Sequence, residues 1–132
     1  MSLDIGVGDG TSPVPLRDEP SLSLDDDAVY SFLHPLLERL RWETGQFVDL
    51  YGDASFAGWR LAALKRMLVQ ARALGESQPE TWEVHVGTQL APALRDLWRP
   101  LNRSVFLDLI TRWERIVERA EELDRPVVCF GD

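Results

Sequence analysis

The stretch that decides the fold is residues 102–125, NRSVFLDLITRWERIVERAEELDR. Its apolar residues recur at intervals of three and four, which is the helical period, so they share one stripe of a single long helix. They are Phe106, Leu109, Ile110, Trp113, Ile116, Val117, Ala120 and Leu123. Asn102 is placed to cap the first turn, and Pro126 ends the helix because it has no N–H to donate. A stripe this apolar has to be buried, so we expect the rest of the chain to cover this helix.

Length and composition predict a single domain over residues 1–132. The chain has 132 residues, 45% of them hydrophobic, which is enough to form a buried core without disulfide bonds. A single cysteine, Cys129, excludes an internal disulfide framework. No run approaches the roughly 18 apolar residues of a membrane span, and the first residues resemble no signal peptide. We therefore expect a cytoplasmic protein without membrane contact.

The charge of the chain is unevenly distributed. The net charge is −8, and residues 1–27 hold seven acids against one base. Within that segment, residues 9–24 contain three prolines and predict a loop or acidic arm. An acidic chain is a poor ligand for phosphates, which excludes nucleic acid as the expected partner and is compatible with a basic protein. Lys65 is the one lysine among fourteen bases, which favours a GC-rich bacterial genome.

Three short apolar runs predict strands, at residues 3–7, 82–87 and 127–130, each followed by a glycine. Unpaired strands leave backbone groups unsatisfied, so we expect these runs to form one small sheet that joins the chain ends. Helices are expected from the acids 25–27 to about Glu43, through Pro35, and over residues 54–74 with Asp53 as N-cap. One or two helical turns are expected in residues 89–98. The predicted class is α+β, mainly helical, with three or four main helices packed around the C-terminal one.

Metal-ligand motifs are absent from the sequence, and we predict no cofactor. One hypothesis is a divalent ion bound by Asp4, Glu83 and His85, if the first strand pairs with the 82–87 run. The interpretation we favour is that the same three side chains are solvated polar groups on the wet face of a sheet, because carboxylates and imidazoles are ordinary surface residues.

Catalytic motifs are also absent, so no catalytic residue is assigned. Asp49 and Asp53 flank a turn and could divide acid and base roles, but turn and cap chemistry explain both positions. His34 lies between leucines and is interpreted as a packed or half-buried histidine. Cys129 lies in an apolar run, where burial would leave its thiol inert.

Five tryptophans are many for this length. Trp82 and Trp113 lie in patterned apolar runs and are expected in the core, whereas the remaining three are candidates for a protein interface, where tryptophan is enriched. The predicted partner-binding residues combine those three with the N-terminal acids, which could steer a basic partner. They are Asp18, Glu19, Asp25, Asp26, Asp27, Trp42, Trp59 and Trp98.

Two functions from different classes follow. The first is a non-enzymatic, acidic protein–protein interaction module, which is similar to bacterial immunity proteins in size and charge only. The second is a small metal-dependent hydrolase that uses the carboxylate and histidine candidates above. A homodimer formed through one helix face is compatible with either function.

Overall fold

The computed structural model describes residues 2–131, which form three helices and six strands in two separate antiparallel sheets. The helices are α1 (Asp27–Thr44), α2 (Trp59–Glu76) and α3 (Arg103–Leu123). The strands are β1 (Leu3–Val7), β2 (Ser21–Leu24), β3 (Asp53–Phe56), β4 (Thr81–Gln89), β5 (Arg95–Asn102) and β6 (Val127–Gly131). Helices take up 44% of the described residues and strands 27%, so the α+β class is confirmed, while "mainly helical" understates the strands.

Helix α3 forms where the apolar stripe predicts it. The Asn102 side chain accepts a hydrogen bond from the Val105 N–H at 3.1 Å, which satisfies one of the free donors of the first turn. The helix ends at Leu123, and Asp124 follows in a left-handed conformation with φ of 52°. The stripe residues Phe106, Ile110, Trp113, Ile116, Val117 and Ala120 are buried. They face α2 on one side and strands β1, β2 and β6 on the other.

The chain ends meet in a four-stranded sheet of order β2-β1-β6-β3. Strand β1 pairs antiparallel with β6, in a register that sets Ile5 opposite Cys129 and Val7 opposite Val127. The predicted pairing of the N-terminal and C-terminal runs is therefore confirmed. Alternate residues of the edge strands β2 and β3 are buried, so one face of the sheet packs against the helices, whereas the central strands β1 and β6 are buried at all but one position each.

Helix α1 runs through Pro35 as one element, as its stripe predicts. Asp26 caps it by accepting hydrogen bonds from the N–H groups of Ala28 and Val29 at 2.8 and 3.3 Å. Gly45 ends it with a φ of 77°, a conformation that a residue without a side chain adopts at little cost. The helix packs on α2 and on strands β4 and β5.

The 82–87 run does not join the terminal sheet, which corrects the prediction of a single sheet. It belongs to β4, whose partner is β5, so the two strands form a separate hairpin. The prediction of helical turns in residues 89–98 is wrong, because they hold the last residue of β4, the loop of this hairpin and the first half of β5. Pro100 is tolerated in β5 because the strand has a free edge, where a missing N–H breaks no ladder bond.

Two further strands were not predicted. Helix α2 begins at Trp59 and not at residue 54, because β3 occupies the residues before it and pairs with β6. Asp53 is therefore the first residue of a strand and not a helix cap. The predicted 9–24 loop also ends earlier than expected, since β2 pairs with β1 and buries Leu22 and Leu24.

We expect Trp113→Ala to lower the free energy of unfolding by about 3–5 kcal/mol, the range measured for truncating a buried large aromatic. The Trp113 side chain is fully buried, and its indole N–H has no hydrogen-bond partner within residues 2–131, so the loss is one of packing. Urea unfolding measures the change. The matched control is Val105→Ala, at an exposed position of the same helix, and it should change stability by no more than about 0.5 kcal/mol. Equal decreases in the free energy of unfolding for the two variants would contradict the conclusion that burial of the α3 stripe stabilises the fold.

Candidate functional site

The predicted metal ligands lie on two different sheets. Asp4 is in β1, where its carboxylate accepts a hydrogen bond from the Ser23 hydroxyl at 2.6 Å. Glu83 and His85 are in β4, and the pairing of that run with β1, on which the hypothesis depended, does not occur. Within residues 2–131, no group of three or more histidine, cysteine or acidic side chains is placed to hold one ion.

The predicted carboxylate pair lies in one shallow surface depression of about 310 Å³. Asp49 and Asp53 line it together with Arg41 and Phe47. The Asp49 carboxylate accepts the N–H of Tyr51 at 3.2 Å, which is the turn role that the sequence suggested. The Arg41 guanidinium lies 5.1 Å from the centre of the Phe47 ring. The described lining of this depression includes no histidine, cysteine or serine to act with the two acids.

The acidic residues of the predicted partner surface have separate roles. Glu19 binds Arg119 through two hydrogen bonds of 2.7 and 3.2 Å, which fasten the N-terminal loop to α3. Asp26 is occupied as the N-cap of α1, and Asp27 lies in the first turn of the same helix. Asp18 and Asp25 are exposed. Two of the five acids, Glu19 and Asp26, therefore have structural partners within the chain.

The three interface tryptophans are all exposed, at 87% for Trp42, 59% for Trp59 and 52% for Trp98. Trp42 and Trp59 lie at the same end of the molecule. Arg60 contacts both regions. Its guanidinium lies 5.0 Å from the centre of the Trp59 ring, and its Nε donates a hydrogen bond of 3.0 Å to the carbonyl of Thr44, two residues after Trp42 in α1. Trp98 lies elsewhere, on the hairpin.

Sequence reasoning missed a cleft of about 450 Å³ between the first half of α1 and the hairpin, which we name the α1–hairpin cleft. Its lining residues are Asp27, Tyr30, Ser31, His34, Leu50, His85, Val86 and Gly87. His34 and His85 are the two histidines of the chain, and both line this one cleft. Their side chains are 46% and 45% exposed, so the prediction of a packed or half-buried His34 is wrong: the imidazole lies at the exposed face of α1.

Each histidine of the cleft has a carboxylate partner. His34 Nε2 lies 3.7 Å from the Glu38 carboxylate, one helical turn away. His85 Nε2 lies 3.2 Å from the Asp96 carboxylate on the neighbouring strand. The His85 ring also packs against Trp98, with 5.2 Å between the ring centres. The cleft, the His85–Asp96 pair and Trp98 are therefore contiguous.

Tyr30 holds its proton at any physiological pH. Its hydroxyl donates to the Val48 carbonyl at 2.9 Å. Burial, followed by the charges of Asp49 and Glu38, raises the pKa of Tyr30 to about 12. The phenol is thus a fixed part of the wall, and the nearby charges that raise its pKa are negative.

The hairpin also carries an exposed apolar loop at its tip. Residues 90–94, of sequence LAPAL, are all exposed, with Leu90 at 78% and Leu94 at 77%. In contrast, the base of the hairpin is buried: Val84 and Leu101 belong to the core, and Trp82 packs edge-on to Phe32 and Phe106. The core thus holds the base while the tip projects into solvent. The pattern of the sequence showed the apolar residues of this loop but not their exposure.

No family model, curated protein or solved structure matches this chain. No helix in the described part of the chain combines the length and the apolar character needed to cross a membrane.

We expect the Cys129 thiol to be unreactive in the folded protein. Burial raises its pKa to about 12, so it stays protonated at pH 8, and the thiolate is the reactive form. Labelling with iodoacetamide at pH 8 should be at least ~100-fold slower than for a free thiol, and complete in denaturant. Rapid stoichiometric labelling of the folded chain would contradict the burial of β6.

The Glu19–Arg119 contact should make stability depend on pH. The hydrogen bonds from Arg119 hold the pKa of Glu19 below its ordinary value of 4.5. A carboxyl with a lowered pKa stabilises the fold above its unfolded value, and this stabilisation is lost as pH falls through the folded value. We expect Glu19→Gln to lower the Tm at pH 7, and the difference from wild type to shrink between pH 5 and pH 3. Asp18→Asn, at the exposed neighbour, should show no such difference at either pH.

Proposed function

We propose that this protein is a non-enzymatic protein–protein interaction module of the bacterial cytoplasm, and that the hairpin is its binding element. The observation that carries the proposal is the run of five consecutive exposed apolar residues at 90–94. Exposed runs of this kind are unfavourable in a soluble domain unless another molecule covers them. Burying a leucine side chain stabilises a complex by about 1.5–3 kcal/mol, and the tip presents two leucines.

The build of the hairpin supports this role. An isolated two-stranded hairpin is marginally stable, but here the aromatic cluster of Phe32, Trp82 and Phe106 holds its base. A rigid base lets the tip enter a partner without a large ordering cost, which favours affinity. Trp98 is on the same hairpin, and exposed tryptophan is the side chain most enriched at the energetic centres of interfaces.

The charge of the chain supports a basic partner. The net charge is −8, and the acids at the start of α1 adjoin the α1–hairpin cleft, with Asp27 in its lining. Complementary charge around an apolar contact raises the association rate and selects the partner. Trp42 and Trp59 lie at the other end of α1 and would form a separate contact. The alternative of a metal-dependent hydrolase has no comparable observation behind it, because its candidate ligands lie on separate sheets.

The test is affinity capture from a lysate of the encoding organism, with the wild-type chain and Leu90→Ser/Leu94→Ser as baits. We expect wild type to recover one protein in stoichiometric amount and the variant to recover at least ~10-fold less, given the apolar area lost. The tip is exposed, so the melting temperature should not change. Val69→Ser/Leu74→Ser removes two exposed apolar side chains of α2 and is the matched control that should capture normally.

Unchanged capture by the tip variant would contradict this assignment of the binding element. Failure of the wild-type chain to recover any stoichiometric protein would contradict an interaction module with a separate partner. The partner could also be a second copy of this chain, which sedimentation velocity of the purified protein tests. Self-association of the wild-type chain that is lost in the tip variant would show that the partner is a second copy.

A further inference from the structure

We propose that the surface where the end of α1 meets the start of α2 binds an acidic peptide segment of a partner protein. We name it the α1–α2 surface, and its residues are Arg39, Trp42, Glu43, Trp59, Arg60 and Arg66. Two contacts join the helices here: Arg60 Nε donates to the Thr44 carbonyl at 3.0 Å, and Arg66 lies 2.6 Å from the Glu43 carboxylate. This inference goes beyond the proposed function, because the hairpin takes no part in it.

Two exposed tryptophans give the α1–α2 surface its apolar area. Trp42 is 87% exposed and Trp59 is 59% exposed. A large aromatic side chain buries about 150–250 Å² in a contact, so these two together offer roughly 200–350 Å² to a partner. Trp59 is already positioned, because the Arg60 guanidinium lies 5.0 Å from the centre of its ring. Less side-chain freedom is therefore lost when a partner covers this ring.

A groove between α1 and α2 adjoins the tryptophans and has room for an aliphatic side chain. Its volume is about 70 Å³. The buried residues Leu40, Ala63 and Met67 make it apolar, and the exposed residues Arg39 and Arg66 lie at its rim. An apolar recess bordered by arginines accepts an apolar residue that has acidic neighbours in the sequence of the partner.

The acids near the tryptophans are neutralised by arginines. Glu43 is paired with Arg66, as described above, and Glu38, one turn before Trp42, lies 3.8 Å from Arg41. Both carboxylates that adjoin the α1 half of the surface therefore have a compensating charge.

The acids near the start of α2 are compensated as well. Glu121 of α3 lies 3.1 Å from Lys65. Asp124 lines a depression beside the first turn of α2 together with Arg125. The α3 side of the molecule therefore does not cancel positive charge on the α1–α2 surface.

Two arginines remain in excess. Arg39 is exposed and forms no ion pair within residues 2–131. Arg60 uses its Nε for the Thr44 carbonyl, and its two terminal nitrogens have no hydrogen-bond partner in the described part of the chain. The α1–α2 surface is therefore positive, although the net charge of the chain is −8.

An acidic peptide complements both the charge and the apolar area. Guanidinium groups bind carboxylates through paired, charge-assisted hydrogen bonds, and an apolar side chain of the peptide covers the indole rings. Nucleic acid is disfavoured, because phosphate binding needs a larger basic surface than two surplus arginines on an acidic chain. A second copy is disfavoured because two chains of charge −8 repel each other.

The test is an NMR titration of the ¹⁵N-labelled full chain with an acetylated peptide amide of sequence EDLDE. The control probe is QNLNQ, which has nearly the same shape without the charges. At pH 7 we expect saturable shift changes of the Trp42 and Trp59 indole N–H signals with EDLDE, and an affinity at least ~10-fold higher than for QNLNQ. Added salt should weaken the binding, because exposed charges are screened.

A pair of double variants tests the role of charge. Arg39→Gln/Arg60→Gln should weaken binding of EDLDE by about 10-fold. Arg17→Gln/Arg115→Gln removes two exposed arginines elsewhere and should change the affinity less than about twofold. The same spectra report whether each variant is folded.

A pair of tryptophan variants tests the location. Trp42→Ser should leave the fold intact, because the side chain is 87% exposed, and should weaken binding of EDLDE at least ~5-fold. Trp98→Ser, on the hairpin, should bind normally. The tip variant Leu90→Ser/Leu94→Ser should also bind EDLDE as the wild-type chain does, so failure of the hairpin function and failure of this proposal are measured separately.

Several outcomes would overturn the assignment of the α1–α2 surface. They are the absence of saturable binding, equal affinity for EDLDE and QNLNQ, and shift changes confined to other surfaces. Tighter binding of hexathymidylate than of EDLDE would assign the surface to nucleic acid instead. Shifts of the two indole signals on dilution of the free chain would assign it to a second copy.

Discussion

Burial of the α3 stripe against a sheet made from both ends of the chain is the contact on which the rest of the structure depends. Trp113 and its neighbours can leave water only if β1 and β6 come together, although more than a hundred residues separate them in the sequence. The antiparallel register of those two strands sets Ile5 and Cys129 on the covered face. Helix α2 closes the opposite side of α3, and α1 packs on α2. Each layer thus has an apolar face that the next one covers.

The hairpin departs from that arrangement. Its base is part of the core through Val84 and Leu101, yet its loop exposes residues 90–94 without a cover. An element that is fixed at one end and apolar at the other presents its tip in a defined position. That combination is why the proposed binding surface lies here and not on the N-terminal segment, where the acids are most numerous.

The N-terminal acids illustrate how charge in the sequence differs from charge at a surface. Glu19 is paired with Arg119, and Asp26 caps α1, so both stabilise the fold. Asp27 is one residue further on and lines the α1–hairpin cleft. Neighbouring carboxylates therefore have different roles, because a step of one residue at a helix start changes the direction in which a side chain points.

Local sequence determined the elements whose cause is local. Four features follow from propensities within a few residues: the period of the α3 stripe, the Asn102 cap, the passage of α1 through Pro35 to Gly45, and the strands at both chain ends. Only the tertiary structure decided which strands pair, since alternation is equally compatible with several partners and registers. It therefore separated β4 from the terminal sheet and revealed β5, whose pattern is hidden by Pro100. It also decided the candidate site: His34 and His85 lie on different elements, and a cleft between a helix and a hairpin depends on how those elements pack, which no local pattern encodes.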